Sequence, residues 1–174
     1  RRDYNTWVAN ETMEDYSLRF TPRSFRKWSE FKVANRLIRE GLIALHEKRY
    51  AVSVANFGEL LGQRIESFEV HYYLARALIS LGRTAEAATH FKEATLRSPA
   101  FAPAQARLGD ALRDLGRVPE AIRHQTEATK LAPKVAAYWN SLGMTLGGNN
   151  RAADAEHAFR EATRLDPRHS RYAY

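Results

Sequence analysis

Pro99, Pro133 and Pro167 stand 34 residues apart, and other residue types keep the same beat. Glu93-Ala94-Thr95 recurs as Glu127-Ala128-Thr129 and Glu161-Ala162-Thr163, Ala87 as Ala121 and Ala155, Leu74 as Leu108 and Leu142. Arg49, Arg83, Arg117 and Arg151 carry the interval to a fourth, earlier unit. A fixed interval shared by unrelated residue types marks stacked supersecondary units, each too small to bury its apolar face alone. Leu74, Leu78 and Leu81 fall at i, i+4 and i+7, which predicts a helix. Gly82, Gly116 and Asn150 then supply left-handed turn positions. A second helix follows, with Ala87, Phe91 and Ala94 on one face, and proline ends it because its ring and missing N–H cannot continue the ladder. Ala121 and its equivalents are expected where paired helices cross closely, so Ala121→Leu should overpack the crossing.

The pattern Trp139…Leu142-Gly143…Ala155…Phe159…Ala162…Pro167 resembles a tetratricopeptide repeat. The resemblance implies an all-α fold, a right-handed superhelical array of helix-turn-helix repeats, with units at 68–101, 102–135 and 136–169. A degenerate unit at 34–67 keeps Gly41, Tyr50, Phe57 and Leu60 but has Ser53 for alanine and Ile65 for proline. The better units depart at His71 and Gln105, where Trp139 stands, and at Gln125, where Phe91 and Phe159 stand. Repeats of this family that grip chaperone C-terminal carboxylates use lysine, asparagine and arginine at set places. Here those places hold Tyr72, Arg76, Arg107, Ala137 and Ser141, so the carboxylate clamp is not expected.

The net charge of +7 is concentrated near the start of the chain. Residues 1–18 sum to −2, residues 19–39 to +6 and the rest to +3. Residues 1–33 are expected to form a basic, aromatic segment, irregular and then helical from about Arg23. Three roles are open for Arg23, Phe25, Arg26, Lys27, Trp28 and Phe31: a cap on the first helix pair, contact with an anionic membrane surface, or contact with a partner. The stretch from Glu14 to Asn35 is similar to the cytosolic N-terminal tail of nucleobase–cation symporter-type permeases. No membrane span follows it here, so no transport function carries over. At the other end, Ser170 to Tyr174 are in register with a further first helix. With Arg1 in place of methionine, the expectation is a piece of a longer protein, or self-association through the terminal repeat.

Chemistry is hard to find. Zero cysteines exclude thiolate metal sites and disulfides. None of the six histidines forms an HExxH string or a His pair at i,i+4, and all are expected on the surface. Asp110 and Asp114 lie on a helix expected to be open to water, without the desolvation a general acid needs. Gly147-Gly148-Asn149-Asn150 is a turn between helices, not a phosphate cradle. No catalytic, cofactor or metal site is expected.

Residues rotated by about 200° from the inward leucines should line the inner wall of the array. They are Tyr72, Arg76, Ile79, Ala106, Asp110, Arg113, Asn140, Met144 and Gly147, flanked by Tyr73 and Arg107. Tyrosines beside arginines have the makeup of interface anchors. The expected function is a non-catalytic scaffold or adaptor, holding a peptide or helix of a partner protein on this wall. The competing readings are a peripheral membrane-complex subunit attached through residues 19–39, and an accessory domain of a larger enzyme. A cytosolic setting is expected, and nucleic acid ranks last because the repeats carry no basic stripe.

Overall fold

The computed structural model describes residues 28–167, with side chains from Lys32 onward. Eight helices account for nearly all of them, and there is no strand among the described residues. They are α1 (Trp28–His46), α2 (Tyr50–Gly62), α3 (Phe68–Ser80), α4 (Thr84–Arg97), α5 (Ala102–Asp114), α6 (Val118–Leu131), α7 (Ala136–Gly147) and α8 (Ala152–Leu165). The even-numbered helices open at Tyr50, Thr84, Val118 and Ala152, a constant 34-residue step, and α3, α5 and α7 keep the same step. The boundary expected at residue 33 falls inside α1, because Ala34, Leu37, Ile38 and Leu42 bury one continuous helical face. The described residues form two compact units, divided between Leu81 and Gly82.

Each turn has the conformation the sequence implies. Gly82, Gly116 and Asn150 have φ of 75°, 75° and 57°, and Lys48 completes the series at 61°. At the α5–α6 turn, Gly116 N–H donates to the Arg113 carbonyl (2.9 Å) and Arg117 N–H to the Leu112 carbonyl (2.8 Å). This is the Schellman arrangement that satisfies orphan helix carbonyls and needs a left-handed residue between them. The recurring arginine then sits at the N-cap and reaches forward, Arg117 to Glu120 at 2.7 Å and Arg151 to Asp154 at 2.6 Å. The second helices end before Pro99, Pro133 and Pro167. Their capping residues Ser98, Ala132 and Asp166 have ψ of 82°, 71° and 82°, outside the helical range, as a residue before proline must be. Ile65 replaces that proline at the end of α2, and the chain turns instead through Arg64 at φ 61°.

In the first unit α2 packs against α1 and α3. Phe57, 1% exposed, fills the crossing with α1, where a Cβ on Gly41 would stand 2.9 Å from its ring. In the second unit α5 pairs with α6 and α7 with α8, and α4 and α6 each pack on the helix that follows. Ala87, Ala94, Ala121, Ala128 and Ala162 are 0% exposed, and Ala155 is 5% exposed. Thr95 and Thr129 are buried beneath following helices, whereas the equivalent Thr163 is exposed, with no helix beyond α8 among the described residues.

Candidate partner-binding surface

In the first unit, α3 brings Tyr72, Tyr73 and Arg76 together. The Arg76 guanidinium carbon lies 5.7 Å from the Tyr72 ring centroid and 5.5 Å from that of Tyr73, within cation–π reach. The two rings meet edge to face at 5.2 Å, and Tyr73 also stacks on Phe57 at 6.0 Å. Tyr72 keeps only 9% of its surface exposed. It is therefore a platform under Arg76, not the open anchor the sequence led us to expect. Tyr73 is half-buried, while Arg76 and Ile79 are exposed.

In the second unit the wall is more polar. Asp110 lies between two guanidinium groups, 3.8 Å from Arg107 Nη1 and 3.7 Å from Arg113 Nη1. Buried Gln125 donates from Nε2 to Asp110 Oδ1 at 3.1 Å, and Arg113 donates to Asp114 Oδ1 from Nε (3.2 Å) and Nη2 (3.1 Å). The side chain of Asp110 is only 22% exposed, so the expectation of a water-open carboxylate is corrected. Gln125, which replaces the usual ring, holds it from below. Gln125 Oε1 and Arg113 Nη1 are buried without a hydrogen-bond partner. Both contacts of Asp110 with arginine exceed direct hydrogen-bonding distance, so the outward Arg107 is free to take a bidentate acidic group. Farther along, α7 presents half-buried Asn140 and Met144 at 47% exposure. Ala106, expected on this wall, is 4% exposed and contributes no surface.

His46 and His157 are exposed as expected, but three other histidines differ. His71 is buried, and His90 and His124 are half-buried, because their turns of helix face neighbouring helices. Gln105 donates from Nε2 to the Pro99 carbonyl (3.1 Å), as Trp139 Nε1 does to that of Pro133 (2.9 Å). With the amide so oriented, its Oε1 accepts from His124 Nδ1 at 2.8 Å. Desolvation, the largest cause, lowers the His90 and His124 pKa values, joined at His124 by Arg123 and opposed by Glu120, and opposed at His90 by Glu86 and Glu93. The folded state thus binds fewer protons than the unfolded chain below about pH 6.5. Stability should be full at pH 7.5 and fall as the pH drops through the unfolded histidine value. Urea melts at pH 7.5 and 5.5 check this: the His124→Gln variant should lose less on acidification than the parent, and equal losses would contradict it.

Among the described residues no group of three or more histidines and carboxylates is placed to hold a metal ion. No described helix is long and apolar enough to cross a membrane. Arg23, Phe25, Arg26 and Lys27 lie outside the described residues, as do the side chains of Trp28 and Phe31, and residues 168–174.

Models of the tetratricopeptide repeat match residues 38–106, 72–136 and 136–169. The chain belongs to the tetratricopeptide repeat family. Among solved structures, this tetratricopeptide repeat protein is similar to YrrB, described as having an unusual peptide-binding site, with 20% identity over 78% of this chain and 70% of that one, TM-score 0.73. It is also similar to MamA from Desulfovibrio magneticus RS-1, with 19% identity over 96% and 95% of the two chains, TM-score 0.74. TTC0263 of Thermus thermophilus gives 21% identity over 77% and 75%, TM-score 0.64. At these identities the likeness is one of fold. No curated protein matches the sequence.

Proposed function

We propose that this tetratricopeptide repeat protein is a non-catalytic scaffold or adaptor that holds an acidic segment of a partner protein on the first-helix wall of its second unit. The observation that carries the reading is the arrangement on α5, where Asp110 occupies two guanidinium groups only at 3.7 Å and 3.8 Å. A partner carboxylate that approaches Arg107 directly gains a shorter, charge-assisted bond than Asp110 makes. Met144 beside Asn140 adds an exposed apolar contact on the same unit. Arg76, exposed over its two tyrosines, offers the first unit a cation of the same kind. Peptide binding named for the similar YrrB supports a protein ligand.

Replacing Arg76 and Arg107 together by glutamate tests this. Both side chains are exposed, so helicity by circular dichroism should be unchanged, while capture of the native partner should fall about tenfold or more. Undiminished capture by the folded double variant would count against the wall as the binding surface.

A further inference from the structure

One side chain beneath the wall breaks the pattern of the repeats. Gly41 faces the ring of Phe57 and Gly143 that of Phe159, and Phe91 of α4 holds the same register. Opposite Gly109 the ring is replaced by Gln125, 1% exposed, with its Oε1 buried and without a hydrogen-bond partner. A buried amide left half satisfied is a poorer core residue than a ring. Its side chain makes one hydrogen bond, the 3.1 Å contact from Nε2 to Asp110 Oδ1. Asp110 is also alone in its own register, where the other repeats carry Leu42, Arg76 and Met144. The buried amide and the wall carboxylate thus occur in the same repeat and in no other.

What the amide does to the carboxylate shows in the ion-pair distances. Arginine and a carboxylate three residues apart close to 2.6 Å in Arg83–Glu86 and Arg151–Asp154, 2.7 Å in Arg117–Glu120 and 2.8 Å in Arg164–Glu161. Asp110 has an arginine three residues away on both sides, yet stays 3.8 Å from Arg107 and 3.7 Å from Arg113. Arg113 turns to Asp114 instead. Arg107 has no other carboxylate within ion-pair distance among the described residues, and its side chain is 59% exposed. We propose that Gln125 is a positioning residue: by holding Asp110 Oδ1 from below, it keeps that carboxylate off Arg107 and leaves the guanidinium open to a carboxylate of the partner. This role rests on the acidic segment proposed for the second unit's wall, and adds the residue that keeps the wall receptive. Without the amide, Asp110 would close on its own arginine and neutralise it, as the other pairs at this spacing do.

Two variants of the full chain test this. Gln125→Phe installs the ring that Gly143 already faces in the next repeat, and Gln125→Met gives a chain of similar length that cannot donate a hydrogen bond. Both should keep or raise the melting temperature. The first measurement needs no ligand: the NMR order parameter of the Arg107 Nε–H group should be low in the parent and rise in either variant as Asp110 closes on it. Adding Asp110→Asn to either variant should return it to the parent's value. A hexa-aspartate peptide is then titrated and followed at the same resonance. The parent should bind it, and either Gln125 variant should bind it about twofold to fivefold more weakly, the weight of one surface ion pair. Adding Asp110→Asn should restore or exceed the parent's affinity. An Arg107 signal unchanged in both Gln125 variants would overturn the positioning role whatever the peptide does. An Arg107 that stiffens as expected, but that hexa-aspartate leaves unshifted in the parent, would overturn the acidic ligand instead, and with it the use assigned to Gln125.

Discussion

Replacing Gly109 by leucine should destabilise the second unit by about 3 kcal/mol, the upper end of the usual overpacking cost. A Cβ at this position would meet Gln125 Cγ at 2.5 Å, the Ala121 carbonyl oxygen at 3.1 Å and the Gln125 nitrogen at 3.2 Å. Two of those three atoms are backbone, so relief requires α5 and α6 to move apart, and that separation would also break the Gln125–Asp110 hydrogen bond. Ala121, 0% exposed on the facing helix, leaves no slack from the other side. Gly58 gives the opposite sign. It lies inside α2 with nothing within 4 Å of an added Cβ, so Gly58→Ala should gain roughly 0.5–1 kcal/mol from helix propensity alone. Urea titrations of the two variants check both signs. A neutral Gly109→Leu would mean that the helices do not cross this closely.

Truncating Phe57 to alanine should cost about 3–5 kcal/mol in the first unit. Its ring is 1% exposed, covers Gly41 on α1 and stacks 6.0 Å from Tyr73 on α3, so one side chain joins all three helices. Removing it also frees Tyr73, one of the two rings beneath Arg76. The near-ultraviolet dichroism of the tyrosines should therefore fall along with the melting temperature. A stability loss with an unaltered tyrosine signal would separate the core from the Arg76 platform and contradict the link between them.

The helix starts were legible because the period is carried by residues with local geometric jobs. Proline ends a helix, a left-handed residue turns the chain, and alanine allows a close crossing. Asn150 could be assigned its positive φ only because Gly82 and Gly116 share its register. Depth was harder to read. Helical rotation placed Tyr72 on the wall, but rotation gives direction and not depth, and Tyr72 keeps only 9% of its surface exposed. Gln105 and Gln125 read as departures from a ring-bearing pattern, yet each keeps a specific duty: Gln105 reproduces the proline-carbonyl bond of Trp139, and Gln125 fixes Asp110. His90 and His124, unlike the exposed His46 and His157, are half-buried, and His124 meets Gln105 of another helix, a contact no spacing within its own helix reveals.

Site-specific photo-crosslinking addresses the binding wall most directly. A photoreactive amino acid placed in turn at Asn140, at Met144 and at exposed Arg160 of α8 would be irradiated in extract from the native host. The wall predicts adducts of one discrete partner at Asn140 and Met144 and none at Arg160. Adducts at Arg160 without any at the two wall positions would contradict it.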